Sequence, residues 1–414
     1  MTAASGLAAL GESALGVPLP LRIRAWDGSE AGPADAPLVH VRSRRALRRL
    51  LWQPGELGLA RAYVTGDLDA PRGAADLDAG LRAMWRLAHS VDRARPAPAR
   101  LARTVLSAGR AVQLGVLGPR PAAPACEARL SGDLHTRDRD RRAISHHYDL
   151  SNEFYALVLD DTMAYSCGYY PTPATTLAQA QPAKLDLICT KLGLEPGMTL
   201  LDVGCGWGSL SLHAAERYGV RVTGVTISAQ QHRWVSDAIA EGGLGDRAEV
   251  LLRDYRALSP ASYDAVASIE MGEHVGQQNY PTYVATLHRH LAPGGHLLLQ
   301  QMSRHAGTAP GGGPFIESYI APDMHMRPLP ETLSFVEAAG FEVRGVQALR
   351  EHYVRTAADW LAKLEARYDD AVALVGEELA RVWRLYLVGG GLAFEEGRMG
   401  VDQILARRPA GRPA

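Results

Sequence analysis

The chain has 414 residues, a formal net charge of −1, 47% hydrophobic and 21% charged residues. That balance excludes a strongly basic nucleic-acid binder, and the length allows two domains. Four cysteines without a C-x-x-C pair suit a reducing cytoplasm and give neither a disulfide framework nor a metal site.

Residues 1–16 are rich in Ala and Gly, lack the pattern of a secretory signal, and predict a loosely ordered start. LRIRAW (21–26) and LVHVRS (38–43) alternate as strands across a Gly/Pro turn, and RRALRRLLW with GELGLARAYVTGDLD predicts helix, turn and helix. Residues 1–90 thus read as a small α/β domain. Within it Arg42, Arg44, Arg45, Arg48 and Arg49 crowd beside Leu47, Leu50, Leu51 and Trp52. Such a segment suits an anionic membrane surface or, equally, a solvated helix face. Residues 91–142 are rich in Arg, Pro and Ala and read as a linker with a helix over 100–115.

The second domain, 143–414, opens on AISHHYDLSNEFYALVLDDTMAYSCGYY, dense in His, Tyr, Asp and Cys, where His146, His147, Tyr148 and Asp149 suggest a local hydrogen-bond network. Strands then alternate with helices: strand 199–204, helix 209–218, strand 221–227, helix 229–241, strands 248–252 and 263–269, helix 280–290, strand 295–301. That order means a parallel sheet covered on both faces. The Gly- and Pro-rich stretch 303–330 has the character of a substrate lid. A helical tail from 357 carries one apolar stripe from Trp360 to Tyr386, expected to pack on the main domain. No stretch of about 18 uninterrupted apolar residues marks a membrane span.

The sharpest local signal is LLDVGCGWG (200–208), a strand, a tight glycine loop and the start of a helix, which places a ligand at the carboxyl edge of the sheet. A dinucleotide loop would carry its third glycine at 209 and an acid after the next strand. Position 209 is Ser, and VRVTGVTIS ends in Thr226 and Ser228. No Gly-Lys-Ser/Thr follows, which disfavours a triphosphate. The remaining reading is S-adenosylmethionine, whose amino-acid end lies over such a loop.

HHYDLSNEFY (146–155), MAYSCGYY (163–170), the glycine loop with VTISAQQ (225–231), and EMGEHVG (270–276) together resemble the cyclopropane-fatty-acyl-phospholipid synthases and their mycolic-acid-modifying relatives. The resemblance covers 143 to the C-terminus, and YVTGDLD in the small domain extends it to the phospholipid-acting branch. It implies a Rossmann-like methyltransferase fold with helical lid insertions, preceded by an α/β N-terminal lipid-handling domain. It also implies a cytoplasmic enzyme that meets membranes peripherally and uses S-adenosylmethionine on an unsaturated phospholipid acyl chain, and a homodimer is compatible with that reading.

By the same resemblance Tyr165 and Ser166 sit beside the methionine portion of the cofactor, Gly204 and Gly206 lie under it, and Asp202 shapes the loop. Thr226 and Gln231 fall near the ribose, and Asp254 and Tyr255 flank the adenine. Thr226 and Ser228 could also simply cap the next helix. The family closes a cyclopropane with a bound bicarbonate as base, held by a Cys, a Glu, a His, a backbone group and a Tyr. Those positions match Cys167, Glu273, Gln300 in place of His, Met302 for the backbone contact, and Tyr319. Glutamine can donate a hydrogen bond to bicarbonate but cannot shuttle a proton. The same methyl transfer could therefore end in a ring or in a methylene or methyl branch. A small-molecule methyltransferase is a further alternative. Glu270, Glu273 and His274 otherwise read as a helix start with acids at its positive end.

Overall fold

A computed structural model of the chain describes residues 1–90, 109, 112–128, 133–140, 142 and 151–410. Most of the helix expected over 100–115, and the cluster His146 to Asp149, lie outside the described residues. The chain divides into two compact units, Met1–Glu127 with Glu365–Leu392, and Ala128–Leu364 with Ala393–Ala414.

In the first unit the Ala-rich start is not loose. It forms a helix, Ala3–Leu15, capped by the Thr2 hydroxyl and ended by Gly16 in the left-handed region. Ala4 and Leu7 are buried with Ile23 and Val41, so tertiary burial supplies the order that small residues do not announce in sequence. Strands β1 (Arg22–Arg24), β2 (Glu30–Ala31), β3 (Leu38–Val41) and β4 (Leu68–Asp69) form a sheet in the order β2-β1-β3-β4, with β1 and β3 parallel. Helices Arg45–Trp52 and Glu56–Val64 match the sequence reading. The arginine run has internal partners: Arg42 pairs with Asp69, Arg45 and Arg49 share Asp67, Arg48 donates to the Val116 carbonyl, and Arg44 lies over Trp26.

The second unit holds a seven-stranded sheet. Its strands are β5 (Thr199–Val203), β6 (Arg221–Thr226), β7 (Ala248–Leu252), β8 (Tyr263–Ile269), β9 (Leu291–Ser303), β10 (Glu342–Ala348) and β11 (Gly400–Arg407). They run in the order β10-β11-β9-β8-β5-β6-β7. The five strands from β9 to the β7 edge are parallel, and one apolar cluster fills the space on each face. Near-continuous burial along β5 and β6 is what a parallel sheet covered on both sides requires.

Two features depart from the sequence reading. β11 is inserted antiparallel between β9 and β10, and its buried Asp402 and Gln403 hid the strand among polar residues. The tail is not one helix. It breaks at Arg367 and at Gly376, whose φ of 81° suits glycine, into helices Arg350–Ala366, Tyr368–Val375 and Glu377–Glu395. Residues 365–392 belong to the first unit, not to the main domain as the stripe suggested. Among the described residues no helix is long and apolar enough to cross a membrane.

Candidate active site

β5 runs into Gly204, Gly206 and Gly208, all with positive φ, and the helix Ser209–Arg217 starts directly after them. This turn opens a cavity at the carboxyl ends of β5, β6 and β8, where open α/β sheets bind ligands. All nine residues expected around the cofactor line that cavity: Tyr165, Ser166, Asp202, Gly204, Gly206, Thr226, Gln231, Asp254 and Tyr255.

Their local chemistry explains the placement. A Cβ on Gly206 would meet nothing within 4 Å, so the loop backbone faces open space there. Asp202 is buried, accepts from the Ser211 hydroxyl, and has its carboxyl pushed up to about 6 by burial. Thr226 Oγ1 donates to Gln231 Oε1 at 2.8 Å, which leaves the Gln231 amide nitrogen available to a ligand. Ser228 caps the helix Ala229–Glu241, so the capping role belongs to Ser228 while Thr226 faces the cavity. Asp254 is held by three nitrogens of Arg256, and the Tyr255 hydroxyl is buried without a hydrogen-bond partner. Gln181 grips the carbonyls of Ala164 and Ser166, and Lys184, itself buried, donates to the Ser166 hydroxyl. These groups fit S-adenosylmethionine: a glycine cradle for the amino-acid end, uncharged polar groups at the second strand, and buried carboxylates near a sulfonium.

The expected reactive residues fall into two groups. Cys167, Gln300 and a residue given no reactive role in the sequence reading, Glu270, form the first. Glu270 Oε1 accepts from the Cys167 backbone nitrogen at 2.9 Å and from Gln300 Nε2 at 2.7 Å, and its Oε2 accepts from the Tyr353 hydroxyl at 2.7 Å. Glu270 lines the cavity with φ 51°, a conformation unusual for a non-glycine residue and characteristic of sites under functional constraint. The Cys167 thiol donates to the carbonyls of Gly168 and Leu349, and burial with the neighbouring Glu270 charge raises it well above its ordinary range, which keeps it protonated.

Glu273 and Met302 form the second group. The Met302 backbone nitrogen donates to Glu273 Oε1, while Glu273 Oε2 is buried without a partner. Burial, then the charge of Glu270, pushes the Glu273 carboxyl up to about 8. Tyr319 lies on the helix Pro314–Tyr319, its ring 5.6 Å from that of Phe315. A tyrosine outside the expected set, Tyr353, reaches the acidic cluster through Glu270. Of the groups expected to hold bicarbonate, the Cys167 backbone nitrogen and the Gln300 amide are thus engaged by Glu270 and the Met302 nitrogen by Glu273, and donors so occupied do not fit a separate anion at that point.

Sequence reasoning missed Glu270, Tyr353 and Lys184. Glu270 was visible as the first acid of EMGE, and Tyr353 as the tyrosine of EHYV, but nothing local aims either side chain inward. Lys184 sits among apolar residues of the helix Leu177–Leu192 and gave no signal.

Comparison with known proteins decides the family. The model for mycolic acid cyclopropane synthetase matches residues 135–404. The chain belongs to this family. It is an S-adenosylmethionine-dependent methyltransferase with a Rossmann-like fold. A probable fatty acid methyltransferase of Mycobacterium tuberculosis is 42% identical across 94% of this chain and 91% of its own length. A tuberculostearic acid methyltransferase of the same species is 33% identical across 93% and 87%. Among solved structures, a cyclopropane synthase of M. tuberculosis, MmaA2, has a TM-score of 0.62 at 33% identity, covering 67% of this chain and all of that one. The family member CmaA1, solved with SAH and CTAB, has a TM-score of 0.61 at 36% identity, covering 64% and 98%.

Proposed function

We propose that this family member methylates the double bond of an unsaturated phospholipid acyl chain and that Glu270 takes the proton that must leave afterwards. When bound, S-adenosylmethionine supplies an electrophilic methyl group, and an alkene held in line about 3–3.5 Å away can attack it. The alkene then carries a positive charge. The chain's own task is to hold that geometry, exclude water, and accept one proton from the transferred methyl. The observation that carries this reading is the Glu270 carboxylate, fixed by three donors at the cavity wall. Burial raises the Glu270 carboxyl as well, but its three donors and Lys184 oppose that rise, whereas Glu273 is pushed up to about 8 and Cys167 stays protonated, which leaves Glu270 as the group suited to act as base.

Loss of that proton with ring closure gives a cyclopropane. A hydride shift before the same loss gives a methylene branch, which a reductant partner could convert to a methyl branch. The second outcome is favoured by one observation: relatives matching nearly the full length carry fatty acid methyltransferase names, whereas cyclopropane mycolic acid synthase 1 matches 63% of the chain. Peripheral contact with a lipid surface is part of the proposal, supported by Leu51 and Trp52, both about half exposed on the helix Arg45–Trp52.

The test supplies purified protein with S-adenosylmethionine and vesicles of a monounsaturated phospholipid. The expected product chain is heavier by one CH2 unit, and catalytic hydrogenation separates a ring from a methylene group. An unchanged acyl chain, with methyl transfer only to a small amine or hydroxyl acceptor, would overturn the reading.

A further inference from the structure

Three glutamines stand side by side across three strands of the main sheet. Gln347 on β10 pairs in register with Gln403 on β11, and Gln403 pairs with Gln300 on β9. Residues in register on neighbouring strands point to the same face, so these side chains meet. Lys191 Nζ, near the end of the helix Leu177–Leu192, donates to the Oε1 atoms of both Gln347 and Gln403 at 2.6 Å. Gln403 Nε2 donates to Gln300 Oε1 at 2.9 Å, and Gln300 Nε2 donates to Glu270 Oε1 at 2.7 Å.

The direction of this row is forced by its ends. An ammonium has three donors and no acceptor, so Gln403 must turn its oxygen to Lys191 and its nitrogen to Gln300. Gln300 must then offer its oxygen to Gln403 and its nitrogen to Glu270. A carboxylate accepts without donating, so the far end matches. Gln300 and Gln403 are each 1% exposed, which leaves water little access to reverse either amide.

We propose that Lys191 and Gln403 are positioning residues for Glu270, holding the Gln300 amide with its nitrogen toward the carboxylate and so keeping that carboxylate ionised. The inference rests on the reading of Glu270 as the base. Amides do not pass protons readily, so the row orients and polarises and does not deliver a proton. The charged and titratable groups facing Glu270 from other elements are Lys184, the Cys167 thiol and the Tyr353 hydroxyl, with Glu273 on its own segment. From β9 the Gln300 carbonyl accepts from the Glu270 backbone nitrogen and the Gln300 side-chain amide donates to the Glu270 carboxylate, so an orientation imposed from Lys191 reaches the carboxylate through that side-chain amide.

The experiment is the pH profile of kcat/KM for full-length Lys191→Met, Gln403→Leu and the double variant, with Lys191→Arg as the conservative control. Each single variant is expected to move the acid limb upward by about one pH unit, the usual scale for losing an oriented donor or a nearby charge. The KM for S-adenosylmethionine should stay within a few-fold. The double variant should shift no further than either single one, because the lysine acts through the glutamine. Lys191→Arg should restore the wild-type limb. A merely structural role would lower kcat evenly at every pH and leave the limb in place, which would overturn the inference, as would additive shifts in the double variant. If Gln403→Leu does not fold, Lys191→Met against Lys191→Arg still decides. Full activity in Glu270→Gln would defeat the base assignment itself. An inactive Glu270→Gln beside unmoved limbs in the other variants would defeat only the positioning role.

Discussion

Glu273 carries a pH dependence of stability that can be worked out in sign. Its folded carboxyl is raised to about 8 by burial and by Glu270, against an ordinary value of 4.5. Between those values the native chain keeps a proton that the unfolded chain has released. Its contribution to stability is therefore present below about pH 4.5 and lost as pH rises through about 8. Denaturant unfolding of the wild type and of Glu273→Gln at several pH values should show a steeper decline in the wild type, with a difference on the order of a few kcal/mol across the window. Parallel curves would mean that Glu273 is not held protonated. At this scale seven of the nine expected residues that line the cavity were legible in the sequence because they come from contiguous motifs, MAYSCGYY, LLDVGCGWG and VTISAQQ. Glu270, Tyr353 and Gln403 converge from three distant segments, and their meeting is a property of sheet register that one-dimensional spacing does not carry.

The glycine loop links element geometry to binding. Gly206 has φ 57° and no neighbour that a Cβ would strike, so its lack of a side chain serves the cavity and not the packing. Gly206→Ala should cost stability only about 1 kcal/mol, the scale of a left-handed residue that acquires a Cβ. Calorimetric titration should nevertheless find S-adenosylmethionine binding weakened at least about tenfold, since a methyl group would stand where the backbone meets the ligand. Unchanged affinity would move the cofactor off this loop. Gly204 differs, because a Cβ there would lie 2.7 Å from the Met271 side chain and would disturb the fold as well. The alternating strands and helices from β5 to β9 were readable from periodicity and caps. β11 was not, because its buried Gln403 is polar and serves the row that ends at Glu270. The helix Ala3–Leu15 was missed because Ala and Gly carry little apolar signal until they are packed.

Over the whole molecule, the arginine run that suggested a lipid surface is largely committed to its own unit through Asp67, Asp69, Val116 and Trp26. Contact with lipid from this helix would then fall to Leu51 and Trp52. Replacing both with Ser should reduce sedimentation with phospholipid vesicles several-fold while leaving turnover of a detergent-dispersed acyl chain intact. Equal sedimentation would place the lipid contact elsewhere. Length allowed two domains, and the return of residues 365–392 to the first unit depends on breaks at Arg367 and Gly376 that an unbroken apolar stripe concealed. The account as a whole turns on a carboxylate built into the chain where relatives were expected to hold a free anion. Its most direct test is turnover of Glu270→Gly in bicarbonate-depleted buffer and after bicarbonate is restored. The glycine should keep the local backbone, lose activity at least about a hundredfold, and regain part of it as bicarbonate fills the place between the Cys167 nitrogen, Gln300 and Tyr353. Wild-type turnover by Glu270→Gly without bicarbonate would contradict the account.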